Sequence, residues 1–263
     1  MKKILILFFI TSSILTYSQV QKISTIPFSN QKAEAEIYAG NDALENDYYI
    51  KNNVFFKNNK SITLQYKNPF LGKISRVDLQ NPLKTMLFYG DFNSVILLDN
   101  QLNETEKINF SQNEKPIDAT AIGMASQNKL WIFNTLTQQI GLFDYLNNTF
   151  HSITQPLKGS FKYYETDFNY FHWIDQQNNW YFCDIFGKIS ANGKVPDFNQ
   201  IQLLEKQRIL YSKDDQLFFC DLKTNKVYEI ENIGKSLKSF SYKDQILAIF
   251  ANSQISKYKI ILP

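Results

Sequence analysis

Arginine, histidine, cysteine and glycine are all scarce in this 263-residue chain, and each shortage removes a class of chemistry. Only Arg76 and Arg208 are present, so no arginine cluster can grip a substrate carboxylate. The two histidines, His151 and His172, are too few for a histidine-rich metal centre. They also allow no Ser-His-Asp or Cys-His constellation to be assembled. Nine scattered glycines form no phosphate-cradling loop, and seven prolines mark no linker. The basic residues are spread among strand ends and turns. The densest group, KSLKSFSYK from Lys235 to Lys243, alternates with Leu237 and Phe240 as a solvated strand face does. A nucleic-acid partner would need a basic stripe, which is absent.

Long apolar runs are also missing except at the start. Met1–Ser18 reads as Lys2 and Lys3, the run ILILFFI, then TSSILTYS with no acidic residue. That order is a charged region, an apolar region and small residues before a cut after Ser18, which predicts a cleaved signal peptide rather than a span. No cysteine follows the apolar run, so lipid attachment at the new terminus is not expected. Lys2 and Lys3 supply two of the three formal positive charges, leaving +1 for residues 19–263. These 245 residues read as a single domain, exported to the periplasm or secreted.

What the chain does have is apolar β-formers in runs of four or five, broken by Asn, Asp, Thr and Gln. The stretch LWIFNTLTQQIGLFDYLNNTF, Leu130–Phe150, reads as strand, turn, strand, turn and return. The same outline recurs. VFFKN, VILLD, IGLFD, WYFCD, LFFCD and ISKYK end at Asn58, Asp99, Asp144, Asp184, Asp221 and Lys259, at spacings of 41, 45, 40, 37 and 38. The preceding strands begin at Tyr48, Met86, Leu130, Phe171, Arg208 and Ile246, at spacings of 38, 44, 41, 37 and 38. Two registers with one period near 40 match the length of a four-stranded blade.

Asp99, Asp144 and Asp221 end strands just before Asn-containing turns, where the carboxylate can accept the next backbone N–H groups and Asn can turn left-handed. A single Asp per turn lacks the clustered oxygens of a calcium loop. Helical periodicity is weak. QKAEAEIYAG is the best candidate for a helical turn, and DFNQIQLLEKQRIL is open between helix and outer strand. Six repeats with short strands and tight turns predict an all-β, six-bladed β-propeller. The segment QVQKISTIPF is expected to supply the outer strand that the last repeat, SFSYKDQILAIFANSQISKYKIILP, lacks.

An export leader followed by repeats of the form LWIFN-x5-IGLFD resembles the exported bacterial β-propeller repeat proteins, including the PQQ-repeat-like and outer-membrane-assembly propellers. The docking Gly and Trp of the PQQ repeat do not recur here, and the lipidation cysteine of the assembly lipoprotein is absent. The resemblance implies fold, exported compartment and a scaffolding role.

No catalytic, cofactor or metal residue is nominated by these patterns. The expected function is a non-enzymatic protein-interaction or envelope scaffold with an envelope or extracellular protein as partner. The other reading is a carbohydrate- or small-ligand-binding propeller with hydrolase or lyase activity, since a carboxylate pair can hide in a ring of loops. Cys183 and Cys220 hold the same register in neighbouring repeats and should point the same way round the ring, so two buried free thiols are expected. Trp131, Trp173 and Trp180 are expected to fill space between blades. FKYYETDFNYFHW, Phe161–Trp173, is the densest aromatic segment, and Tyr163, Tyr164, Tyr170 and Trp173 are its candidate interaction surface.

Overall fold

The middle strands of the repeats carry four or more apolar residues in a row, and side chains on a strand point to opposite faces, so each such strand can bury against two different neighbours. A computed structural model describes residues 21–263 apart from positions 43, 60, 114, 115 and 235. Met1–Ser18, the segment expected to be a signal peptide, lies outside the described residues. No α-helix occurs among them, and no helix is long and apolar enough to cross a membrane.

The chain opens with β1 (Gln21–Ser24) and β2 (Ile26–Lys32), then forms blade 1 from β3 (Ile37–Asn41), β4 (Asp47–Lys51), β5 (Val54–Asn58) and β6 (Thr63–Tyr66). Blade 2 contains β7 (Arg76–Asn81), β8 (Lys84–Tyr89), β9 (Ser94–Asp99) and β10 (Glu104–Asn109). Blade 3 contains β11 (Ala119–Met124), β12 (Lys129–Asn134), β13 (Gln139–Asp144) and β14 (Thr149–Ser152). Blade 4 contains β15 (Phe161–Thr166), β16 (Tyr170–Asp175), β17 (Asn179–Asp184) and β18 (Ile189–Lys194). Blade 5 contains β19 (Gln200–Leu204), β20 (Arg208–Lys213), β21 (Gln216–Asp221) and β22 (Lys226–Glu231). Blade 6 contains β23 (Ser239–Lys243), β24 (Ile246–Ala251) and β25 (Gln254–Lys259). Strands within a blade are named A to D outward from the channel. The AB and CD turns then share one end of the ring, and the BC and DA connections share the other.

Six sheets, each built on four antiparallel strands, confirm the six-bladed, all-β reading. Their tight turns use paired left-handed residues, as at Asn52–Asn53, Gln127–Asn128, Asp214–Asp215 and Asp244–Gln245, which matches the twist of the strands they join. The helix-like reading of QKAEAEIYAG is corrected: it ends β2, loops, and enters β3. DFNQIQLLEKQRIL is also corrected, because it forms the innermost hairpin of blade 5 rather than an outer strand. Its glutamines serve the channel, where Gln202 donates to Tyr242 O at 2.7 Å and accepts from Tyr242 N at 2.8 Å.

Closure follows the expected route with one adjustment. The outer strand of blade 6 is β2, paired antiparallel with β25 from Ile26↔Lys259 to Lys32↔Gln254. The earlier part of the segment, β1, instead adds parallel to β22 as a fifth strand on blade 5. Thr25 marks the switch, its hydroxyl donating to Glu231 O at 3.0 Å and Asn232 O at 3.2 Å. The first strands therefore tie the last two blades together.

Each of the six interfaces between adjacent blades holds its own apolar cluster. Trp131 and Trp173 are buried between blades 3 and 4, and Trp180 between blades 4 and 5. Cys183 and Cys220 are free, buried and in different clusters. Burial pushes their thiols up to about 12 and about 11. The seam between blades 6 and 1 is more polar, with Lys257 Nζ 2.8 Å from Asp47 Oδ1, which also accepts from Tyr38 OH at 3.0 Å.

Candidate functional site

Blade 4 differs from its neighbours at one register position. His172 pairs with Phe182 where blades 2, 3, 5 and 6 place Met86, Trp131, Leu210 and Ala248 on the same face of their B strands. Those four are fully buried apolar residues, whereas His172 is a polar ring at the edge of a cavity. The cavity is a cleft of about 650 Å³ between blades 4 and 5 that opens on the AB/CD face. Tyr170, His172, Trp180 and Phe182 form one wall; Leu203, Leu204 and the 205–207 turn form the other.

The His172 ring is fixed at both nitrogens. Trp180 Nε1–H donates to Nδ1 at 3.3 Å, because an indole nitrogen can only donate. The ring proton therefore sits on Nε2, which donates to Asp167 Oδ2 at 3.2 Å. Asp167 Oδ1 accepts from Asn169 N and Tyr170 N at 2.8 Å each. Burial works against the Asp167 charge, but the His172 and backbone hydrogen bonds hold its carboxyl below the usual range. His172 is thus a satisfied ring that orients an aromatic group: its centroid lies 5.9 Å from those of Tyr170, Trp180 and Phe182.

Glu165 separates this cleft from the central channel and lines both. It accepts from the Tyr163 hydroxyl and, across the blade interface, from Leu203 N at 3.3 Å. Burial raises its carboxyl above the usual range and raises the Tyr163 phenol further still. The channel is a space of about 350 Å³ ringed by A strands. Asp78 lies in its wall, accepting from Met124 N at 2.8 Å and Gln80 N at 2.9 Å, and burial raises its carboxyl too. Arg76 stacks its guanidinium 4.2 Å from the centre of the Tyr164 ring. Among the described residues no group of three or more His, Cys, Asp or Glu side chains converges as metal ligands.

The four aromatic residues singled out in the sequence do not share one surface. Tyr170 is 39% exposed at the cleft. Tyr163 faces the channel, and Tyr164 stacks on Phe171 at 5.8 Å while its hydroxyl accepts from Ile122 N at 3.2 Å. Trp173 is buried against blade 3. Their segment is the inner hairpin of blade 4, whose strands alternate residues between two neighbouring blades and the channel. The cleft residues His172, Trp180 and Phe182, and the channel residue Arg76, were not singled out as a site. A histidine at an otherwise apolar repeat position was the available signal.

No family model matches the chain, and no curated protein matches it. Among solved structures, virginiamycin B lyase from Staphylococcus aureus is similar at 11% identity and a TM-score of 0.58, over 89% of this chain and 99% of that one. The β-propeller domain of Swd1 from Myceliophteria thermophila is similar at 9% identity and 0.58, over 90% and 100%. A chain of the mitotic checkpoint complex is similar at 8% identity and 0.57, over the whole of both. At these identities the likeness establishes a shared fold: the chain is a β-propeller, of a class that carries unrelated functions.

Proposed function

We propose that this protein is an exported, non-catalytic propeller that holds an envelope or extracellular protein on its AB/CD face. The observation that carries the reading is the composition of that face. Its AB turns expose Leu44, Leu83 and Phe168, and its CD turns expose Ile62, Leu146 and Phe186. The opposite face exposes only Phe70, Phe92 and Leu136 in its described connections. Phe186, at 85% exposure, is the most open of them. The tips are also held by side-chain hydrogen bonds. The backbone N–H groups of Leu44, Leu83, Leu146 and Phe186 donate to an Asp or Asn side chain two residues earlier, at 2.9–3.0 Å. Ile62 N donates likewise to Asn59 at 2.8 Å. Apolar side chains on pre-ordered turns lose little entropy on docking, which suits a binding face.

Crosslinking in the native envelope followed by pull-down and mass spectrometry tests this. A reproducible protein partner that is lost on combined Leu146→Ser and Phe186→Ser substitution is expected. The same partner retained by that variant, or no partner at all, overturns it.

The cleft supports a second reading, in which a small ligand with an apolar or sugar face stacks on Tyr170 and Phe182. Bound sugar or metal in the purified protein would favour that reading over the first.

A further inference from the structure

The central channel contains polar groups that the protein itself leaves without partners. Arg76 Nε is buried and makes no hydrogen bond. No carboxylate among the described residues lies within 4 Å of its guanidinium. Asn41 Oδ1, on the neighbouring inner strand β3, is likewise buried with no partner. Both residues line the same cavity of about 350 Å³. Buried donors and acceptors in native proteins are paired, so an orphaned guanidinium Nε and an orphaned amide oxygen are each costly.

Asp78 and Glu165 attract Arg76 through space but neither makes a hydrogen bond or close ion pair with it. Asp78 is held by Met124 N and Gln80 N, and Glu165 by Tyr163 OH and Leu203 N. At the AB/CD mouth Lys243 adds a second cation, again with no described carboxylate within 4 Å. We propose that the channel binds a small hydroxy-carboxylate, its carboxylate on Arg76, its hydroxyl on Asn41, drawn in past Lys243. A planar carboxylate matches a guanidinium edge with two parallel hydrogen bonds. The hydroxyl supplies the donor that Asn41 Oδ1 lacks. A monoanion is favoured over a phosphate dianion because Asp78 and Glu165 face the same space. A space of about 350 Å³ has room for a small hydroxy acid. This site goes beyond the protein-docking face and does not depend on it.

The test is isothermal titration of the full chain with sodium lactate, sodium acetate, sodium phosphate and sodium chloride at matched ionic strength. Saturable one-to-one binding of lactate, weaker binding of acetate and none of chloride or phosphate is expected. Arg76→Lys keeps the charge and loses the fork, and should weaken lactate binding roughly 10–100-fold. Asn41→Ala should bring lactate down to the affinity of acetate. Lys243→Gln, at the mouth, should weaken both about threefold and decides the matter if Arg76→Lys does not fold. Lactate heats equal to chloride, phosphate bound more tightly than lactate, or lactate affinity unchanged in the folded variants overturns the proposal.

Discussion

At the scale of single residues, two opposed sets of carboxylates set the response to pH. Asp78 and Glu165 are raised by burial, so the folded state takes up their protons more readily than the unfolded chain. Their protonation stabilises the fold at low pH, and that contribution is lost as pH rises through their folded values. Asp42, Asp144, Asp167 and Asp175 are lowered by hydrogen bonds from side chains and turn backbone, although burial opposes this at Asp42, Asp167 and Asp175. Their contribution is present above about pH 4 and is lost as pH falls below it. The expected melting temperature therefore rises as pH falls from neutral through the raised values of Asp78 and Glu165, and then falls below about pH 4. The double variant Asp78→Asn with Glu165→Gln should flatten the rise and leave the acid fall unchanged, as read by thermal unfolding across pH. The thiols give a second residue-scale check. Cys183 and Cys220 should resist alkylation in the native protein and both react once it is unfolded, counted by intact mass without reductant.

Among the secondary-structure elements, the inner strands are the most constrained because six of them converge on one channel. Gly123 on β11 shows why. A Cβ built there would lie 1.8 Å from Thr166 Oγ1 and 2.8 Å from Thr166 Cβ on β15, so these strands can approach only where one of them lacks a side chain. Gly123→Ala should cost about 1–3 kcal/mol by overpacking, measured by denaturant unfolding. The turns are constrained differently. Asp144 accepts from Leu146 N and Asn147 N at 3.0 Å, and Asn148 takes the left-handed conformation that the turn requires. In the Asp99 turn the left-handed residue is Leu102 rather than an Asn, so tertiary packing of that buried leucine overrides local preference.

For the whole molecule, stability depends on closing the ring. β2 covers the edge of β25, and β1 ties the same N-terminal segment to blade 5. Removing residues 1–32 would leave the β25 edge unpaired and strip blade 6 of its outer strand. The expected outcome is loss of the monomer peak, with self-association or aggregation, followed by light scattering after size exclusion. If the export reading holds, protein recovered from the producing cells begins at Gln19, which intact mass will show.

Periodicity determined the architecture from the sequence alone. A strand ending every 37–45 residues, in Asp in four of the six repeats, is a local pattern, and it was enough to predict six blades and their turn chemistry. Two buried, unbridged cysteines followed from the same register argument. The site was not legible in this way. Tyr163, Tyr164, Tyr170 and Trp173 are close in sequence, yet strand alternation sends them to the channel, the cleft and the core. Arg76 and Asn41 are separated in sequence by most of a blade and lie on A strands of blades 1 and 2. The packing of blade 1 on blade 2 brings them to one cavity, because residues in a propeller meet through the rotation between blades and not through spacing along the chain.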